Sequence, residues 1–108
     1  MKENAELIEQ FVDMCSECAE ECTSCASECK DKPGMETCIR LCNECADACA
    51  QCAEDCESNS KNKAQSIEAC VKACEACADE CEKHKHASCI NCAHVCRACV
   101  EECKKMIA

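Results

Sequence analysis

The chain contains 108 residues, of which 20 are cysteine and one, Phe11, is aromatic, and its formal net charge is −10. The length suits one domain, predicted over residues 1–108, and the acidic charge argues against a nucleic-acid partner because contacts to phosphates require a basic surface. The first fifteen residues, MKENAELIEQFVDMC, contain no apolar run long enough for a signal peptide or a membrane helix, so we expect a cytoplasmic protein without a membrane partner, in which thiols stay reduced.

The first predicted element is a helix over residues 4–30. Its cysteines lie within CSECAEECTSCASEC, from Cys15 to Cys29, at gaps that alternate between three and four residues. This alternation has a mean period of 3.5 and is typical of the inner seam of packed helices, whereas a strand requires a period of two. The segment KDKPG is predicted to end the helix because it contains the only Pro and the only Gly of the chain.

Three further helices are predicted, over residues 35–57, 63–83 and 87–105. Each contains cysteines at the same alternating gaps, so each presents one stripe of thiols. The pattern therefore repeats four times along the chain and indicates four similar helices.

The connectors between these helices are short and polar. ESNSKNK precedes the third helix, which Asn62 together with Gln65 is predicted to cap, and KHKHAS precedes the fourth. Short connectors between helices require antiparallel neighbours. We therefore predict an all-α fold, an antiparallel up-down-up-down four-helix bundle with a cysteine-lined core.

The thiols of all four helices meet on this seam and are the candidate metal ligands. They are Cys15, Cys18, Cys22, Cys25, Cys29, Cys38, Cys42, Cys45, Cys49, Cys52, Cys56, Cys70, Cys74, Cys77, Cys81, Cys89, Cys92, Cys96, Cys99 and Cys103. The alternating gaps place the cysteines at positions a and d of a seven-residue repeat, the heptad abcdefg. The neighbouring e positions are apolar and mostly small, as at Ala19, Ala46 and Ala78, so the helices can approach closely.

Packing, disulfide formation and thiol catalysis each account less well for the cysteine seam than metal binding does. As packing residues, cysteines bury less apolar surface than Leu or Ile and add a risk of oxidation. Disulfides require an oxidising compartment, and a dense ladder of thiols allows many competing pairings. A thiol oxidoreductase uses one activated cysteine, often at a helix N-terminus, whereas these pairs repeat along helix interiors. No catalytic residue is predicted, and metal binding is favoured.

Charge distinguishes between the metals that thiolates bind. Cysteines three or four residues apart on a helix have Cβ atoms roughly 5–6 Å apart, which suits a two-coordinate soft ion such as Cu(I). About five zinc ions with four thiolates each would leave a charge of about −10 in the core, whereas one Cu(I) per thiolate leaves it neutral. Iron–sulfur clusters need room that a continuous seam does not obviously provide. Many Cu(I) ions per chain are predicted, with a metallothionein-like zinc or mixed-metal buffer as the alternative.

The four cysteine blocks, with the third connector in CEKHKHASCINC, resemble the four-helix-bundle copper storage proteins, in particular their cytosolic branch. The resemblance covers almost the whole chain. It implies a homotetramer of bundles, many Cu(I) ions on CxxxC and CxxC pairs, and His or Met near the end where ions enter. The sequence departs from the family at Ser88, because relatives often carry His immediately before the first cysteine of the fourth helix.

The two ends of the bundle differ in the side chains that continue the seam beyond the cysteines. At one end these are Met35 and His84, with His86 close by; all three can bind a metal, and we interpret this end as the entry site. At the opposite end the seam continues in apolar residues that we interpret as a plug, namely Ile8, Phe11, Ile67 and Met106. His94 is predicted to lie on the outer surface.

These observations predict a cytoplasmic copper storage protein that is not an enzyme. It is expected to sequester many Cu(I) ions on its thiolates, both as protection against copper toxicity and as a reserve. Exchange of ions between neighbouring thiolates allows reversible uptake while the bundle keeps a redox-active ion away from water and oxygen.

Overall fold

The computed structural model describes residues 5–107, which form four α-helices joined by three short connectors. In chain order the helices are α1 (Ala5–Glu28), α2 (Glu36–Glu57), α3 (Lys63–Cys81) and α4 (Ala87–Ile107). α1 packs against α2 and α4, and α3 packs against the same two helices, so consecutive helices are neighbours around one core. The predicted all-α four-helix bundle is confirmed.

The helix boundaries differ from the prediction by one or two residues. α1 and α3 end two residues earlier than predicted, α2 begins one residue later and α4 continues two residues further; the predicted start at residue 4 lies outside the described residues. The early ends follow from tighter turns, in which Lys30 N donates to Ser27 O at 3.3 Å and His84 N donates to Cys81 O at 3.1 Å. Such i to i−3 bonds are a common way to satisfy the last carbonyls of a helix.

Two connector residues adopt the left-handed backbone conformation. Gly34 has a φ of 75°, which glycine reaches without a steric penalty because it lacks a Cβ atom. Asn59 has a φ of 56°, and its side-chain oxygen accepts a hydrogen bond from Lys63 Nζ at 2.7 Å. Asparagine tolerates this conformation better than most residues. These positions allow the chain to reverse between α1 and α2 and between α2 and α3.

The predicted cap of α3 by Asn62 and Gln65 is wrong. Asn62 occupies the N-cap position, but its side chain makes no capping hydrogen bond. Its φ of −91° and ψ of 4° lie outside the extended region in which a cap side chain reaches the next free N–H groups. Instead its carbonyl accepts from Ser66 N at 3.0 Å, and its own N–H donates to Ser60 Oγ at 3.1 Å.

The core of the bundle is made of thiols, as predicted. All 20 cysteines are buried, and none forms a disulfide. Small residues such as Ala26, Ala53, Ala78 and Ala93 are buried beside them. Since alanine occupies little volume, the helix backbones can come close enough to bring thiols from different helices into contact.

Charged residues occupy the outer surface, where one arginine joins the last two helices. Arg97 of α4 donates to Glu82 at 2.8 Å and 3.1 Å and to Asp79 at 2.7 Å. This paired geometry orients the two helices at the end where the third connector lies. Within residues 5–107, no helix is both long and apolar enough to cross a bilayer.

Candidate metal-binding site

The four helices bring one thiol each into common layers. Cys18, Cys45, Cys74 and Cys96 come from α1, α2, α3 and α4 in that order, and their Sγ atoms all lie within 4.8 Å of one another. A second such layer is formed by Cys25, Cys42, Cys81 and Cys92. The predicted ligands therefore meet across helices as well as along each helix.

The thiols also form an unbroken path along the bundle. Each Sγ atom of the path lies 3.5–3.9 Å from the next. The path runs through Cys29, Cys89, Cys38, Cys81, Cys42, Cys77, Cys92, Cys22, Cys96, Cys45, Cys74, Cys49, Cys70 and Cys99. An ion on one thiolate therefore always has another thiolate within reach.

These distances suit bent coordination by shared thiolates. Two metal–thiolate bonds of about 2.3 Å place their sulfurs about 4.6 Å apart when collinear and about 4.0 Å apart at 120°. The Cys45–Cys49 pair on α2 and the Cys77–Cys81 pair on α3 have Sγ distances of 3.9 Å and 4.0 Å. Three-coordinate ions therefore fit the metal-free spacing, and two-coordinate ions need only a small separation of the thiols.

Burial keeps the end thiols protonated when no metal is bound. Desolvation raises the pKa of Cys38 to about 11 and that of Cys56 to about 12, from an ordinary value of 9.0. Deeper in the bundle the direction reverses for Cys25, whose pKa is lowered to about 7 by hydrogen bonds with Cys42 and Cys81. Because the thiolate is the metal ligand, binding at the end thiols must release protons.

The stability of the metal-free bundle is expected to fall above about pH 9. Between their unfolded pKa near 9.0 and their folded values of about 11 and 12, Cys38 and Cys56 ionise in the unfolded chain but stay neutral in the folded one. Their contribution to the stability of the fold is complete below pH 9.0 and is lost as the pH rises through the folded pKa values. Cys25, with its lowered pKa, behaves in the opposite way, and its contribution to stability is complete above pH 9.0.

Thermal unfolding of reduced protein followed by circular dichroism at pH 7, 9 and 10.5 measures this effect. Copper-loaded protein is the control, since its thiols have no proton to lose, and its midpoint should vary less. A midpoint of the metal-free form that rises between pH 9 and 10.5 would contradict the expectation.

The predicted entry residues lie at one end of the bundle, in different environments. Met35 is 2% exposed and packs within the thiol core, next to the first turn of α2. His84 and His86 are half-buried. His84 Nε2 lies 2.9 Å from Glu80 Oε2, and this contact holds the pKa of the Glu80 carboxyl below its usual range. Sequence reasoning missed Glu80 as a partner of His84, although its position four residues before His84, at the end of the predicted helix, was a usable signal.

Ser88 is close to the thiols of the same end. Its Oγ lies 3.9 Å from Cys29 Sγ, which in turn lies 3.7 Å from Cys89 Sγ. A hydroxyl therefore stands beside the outermost thiols at the position where the predicted family often carries His. His94 is exposed on the outer surface, as predicted.

The opposite end is closed by apolar side chains around a small cavity. Phe11 and Ile67 are buried, whereas Ile8 and Met106 are half-buried. A cavity of about 90 Å³ is lined by Ile8, Ile67, Met106 and Cys56, among other residues. The seam prediction placed these residues at one end correctly but did not indicate a void there.

Near this end lies a buried carboxylate that sequence reasoning also missed. Asp55 is 9% exposed and accepts hydrogen bonds from Gln51 Nε2 at 3.1 Å and from Ser66 Oγ. The second bond joins α2 to α3 beside the last cysteine of α2. Asp55 stands at the g position of the heptad, where other turns of the helices carry either apolar or charged residues. Its spacing therefore gave no indication that it is buried.

A bundle whose core consists of free thiols, with many contacts between them, belongs to the class of metal-binding helical proteins. A model of the copper storage protein family matches residues 4–108. The chain therefore belongs to the copper storage protein family, and its role is storage rather than catalysis.

Solved structures of this family are similar over nearly the whole chain. The Cu(I)-bound copper storage protein BsCsp3 is 34% identical, with a TM-score of 0.87 over 94% of this chain and 99% of that one. Apo copper storage protein 3 from Bacillus subtilis is 36% identical, with a TM-score of 0.87 over 93% and 98%.

A third relative is a cytosolic copper storage protein from Streptomyces lividans, described with five coppers. It is 32% identical, with a TM-score of 0.86 over 94% of this chain and 92% of that one. A search among curated proteins gives no significant match. The similarities give no support to the alternative of a zinc or mixed-metal buffer.

Proposed function

We propose that this protein holds Cu(I) ions inside the bundle on the thiolates of its 20 cysteines. The observation that carries the proposal is the unbroken path of Sγ atoms from Cys29 to Cys99, in which no gap exceeds 3.9 Å. A path of this kind serves many ions that share ligands, whereas a structural or catalytic metal needs one set of three or four ligands. The stored ions form a reserve and are kept from damaging reactions.

Charge balance supports Cu(I) as the stored ion. Each thiolate contributes one negative charge, and each Cu(I) contributes one positive charge. When every thiolate bridges two ions and every ion binds two thiolates, the number of ions approaches the number of cysteines and the core remains neutral. Since the cysteines are almost completely shielded from water, a charged core would be very costly.

Ions move through the bundle by exchange between thiolates. A bound ion accepts a third sulfur from the next layer before it leaves the previous one, so it is never without ligands. The buried position of the thiols keeps water and oxygen from the ion during this movement. No step requires a change in the oxidation state of copper.

The setting of this storage is proposed from the relatives. One Streptomyces lividans copper storage protein is described as cytosolic and with five coppers, and a second structure from this organism as loaded with 10 copper equivalents. These descriptions support a cytoplasmic protein with many ions per chain. The family resemblance supports a homotetramer of bundles, each formed by residues 1–108 as one domain. The acidic surface supports neither nucleic acid nor an anionic membrane as a partner.

Preference for copper over zinc tests the proposed function. Reduced protein is mixed anaerobically with excess Cu(I) and Zn(II) together, desalted and analysed for both metals. We expect copper in large excess over zinc, because only the monovalent ion leaves the core neutral. Retention of zinc in preference to copper would contradict the proposal, and a thiol-alkylated sample serves as the control that binds neither.

Loading through the Met35, His84 and His86 end is expected to depend on these three side chains. Neutral imidazole and thioether can bind Cu(I) and pass it on without burying a charge. Replacing all three by Ala should slow uptake and removal while changing the capacity by only a few ions of about 20. Stopped-flow transfer to a chromogenic Cu(I) chelator measures the rate.

The matched control for this experiment is Phe11→Ala at the opposite end. It should loosen the apolar end without removing a metal ligand, and it should leave the exchange rate close to that of the wild type. If the triple variant exchanges at the wild-type rate while Phe11→Ala exchanges faster, ions use the other end.

A further inference from the structure

Two residues that carry soft sulfur atoms line one cavity at the apolar end. Cys56, the last cysteine of α2, and Met106, in the last turn of α4, both line the cavity of about 90 Å³. Ile8 and Ile67 form apolar walls of the same cavity. Thiolate and thioether are both preferred ligands of Cu(I), so this cavity has the chemistry of a copper site as well as that of a packing defect.

Cys56 differs from the interior thiols in its surroundings. Cys96, for example, has its Sγ atom 3.7–3.8 Å from those of Cys18, Cys22 and Cys45, on different sides. Cys56 interacts with Cys52, and it is the one cysteine among the residues that line the cavity. An ion bound by Cys56 in the cavity therefore needs a further ligand other than a thiolate.

We propose that Met106 is a copper ligand, and that its thioether and the Cys56 thiolate together hold the Cu(I) ion that terminates the thiolate chain at the apolar end. This inference rests on the proposed function and adds a ligand to it. A thioether is neutral, so it completes the coordination of the last ion without adding charge to the core.

The size of the cavity fits such an ion. A sphere of about 90 Å³ is about 5.6 Å across, so the cavity has room for one ion with metal–sulfur bonds of about 2.3 Å. The walls are mainly apolar, so they offer the ion few competing polar ligands. Met106 is half-buried at the end of a helix, so its flexible side chain can adjust to the bound ion.

A positive charge stands near Cys56. Lys63 lines the same cavity as Cys56 and Met106, so the cavity places an ammonium group close to a thiolate on Cys56. The neighbouring Asp55 carboxylate accepts hydrogen bonds from Gln51 and Ser66. In the binding step the Cys56 S–H bond breaks, its proton leaves to solvent, a Cu–S bond forms and copper remains Cu(I).

Methyl signals of methionine test the proposal directly. The chain has four methionines, and the 13C-labelled ε-methyl groups of full-length protein are assigned with single Met→Leu variants. Spectra are compared between the reduced metal-free form and the form saturated anaerobically with Cu(I). The Met106 signal should move on loading, whereas the signal of Met14, which packs against the thiol core but does not line the cavity, should move less.

Matched variants separate copper binding from a change in packing. In Cys56→Ser the Met106 signal should remain at its metal-free position although the rest of the bundle loads, and in Cys38→Ser, at the other end, it should move as in the wild type. Independently, Met106→Leu should retain one Cu(I) fewer per chain against a strong chelator, with an unchanged helical spectrum.

Three results would overturn the proposal while leaving copper storage intact. They are an unmoved Met106 signal in fully loaded wild type, a movement that persists in Cys56→Ser, and an unchanged copper content of Met106→Leu under chelator competition. Because the last measurement does not use the Cys56 variant, the proposal stays testable even if that variant folds poorly. A wild type that binds no more than about five Cu(I) ions would instead count against the proposed function.

Discussion

Reduced protein titrated with Cu(I) in the absence of oxygen is expected to saturate near one ion per cysteine, which is about 20 ions per chain. The reason is charge: the core stays neutral only when each thiolate is matched by one monovalent ion. The path of Sγ atoms at spacings of 3.5–3.9 Å supplies bridging ligands for such a number of ions. Metal analysis after desalting, together with the growth of ultraviolet thiolate-to-copper bands, measures the capacity.

A zinc titration of the same sample is the matched control. Four thiolates per ion limit zinc to about five ions per chain, even if every cysteine takes part. Saturation with Cu(I) near the same value would mean that the cysteines act as separate four-ligand sites, and the shared-thiolate arrangement would then be wrong.

The metal-free reduced protein is expected to be folded, and Phe11→Ala is expected to destabilise it by about 3–5 kcal/mol. Phe11 is 4% exposed and is the only aromatic side chain of the chain, so its removal leaves a large void at the apolar end. The helices should persist without metal because neutral thiols are only weakly polar and pack as small apolar groups. Denaturant unfolding followed by circular dichroism measures the loss of stability.

Ile90→Ala is the control for this measurement, because Ile90 is 48% exposed and its truncation should change stability little. Copper loading should raise the unfolding midpoint of both variants, since the ions bind only the folded bundle. A random-coil spectrum of the reduced metal-free wild type would contradict the prediction and would place the protein with zinc fingers, which need their metal to fold.

The repeated spacing of the cysteines determined most of the fold. Gaps of three and four residues place every thiol on one face of a helix, and this is a local property of the backbone that needs no tertiary contact. The short connectors then leave few arrangements other than an antiparallel bundle. For the same reason, the set of buried thiols and the exposed position of His94 could be predicted residue by residue.

Local sequence was a weaker guide at the helix ends. Asn62 and Gln65 have the spacing of a capping pair, yet the backbone dihedral angles of Asn62 leave its side chain without a capping bond. The conformation of the connector, which includes the left-handed Asn59, decides those angles. A cap depends on the direction in which the chain enters the helix, and residue identity alone does not contain that direction.

The sequence by itself determined that the protein is a four-helix bundle with thiols inside and that its two ends differ in chemistry. Only the tertiary structure decided which thiols meet across helices, that Glu80 contacts His84, that Asp55 is buried, and that a cavity joins Cys56 to Met106. The physical reason is that periodicity fixes the face on which a side chain lies, whereas contacts between helices depend on their relative height and rotation. Those two quantities are set by the packing of all four helices together.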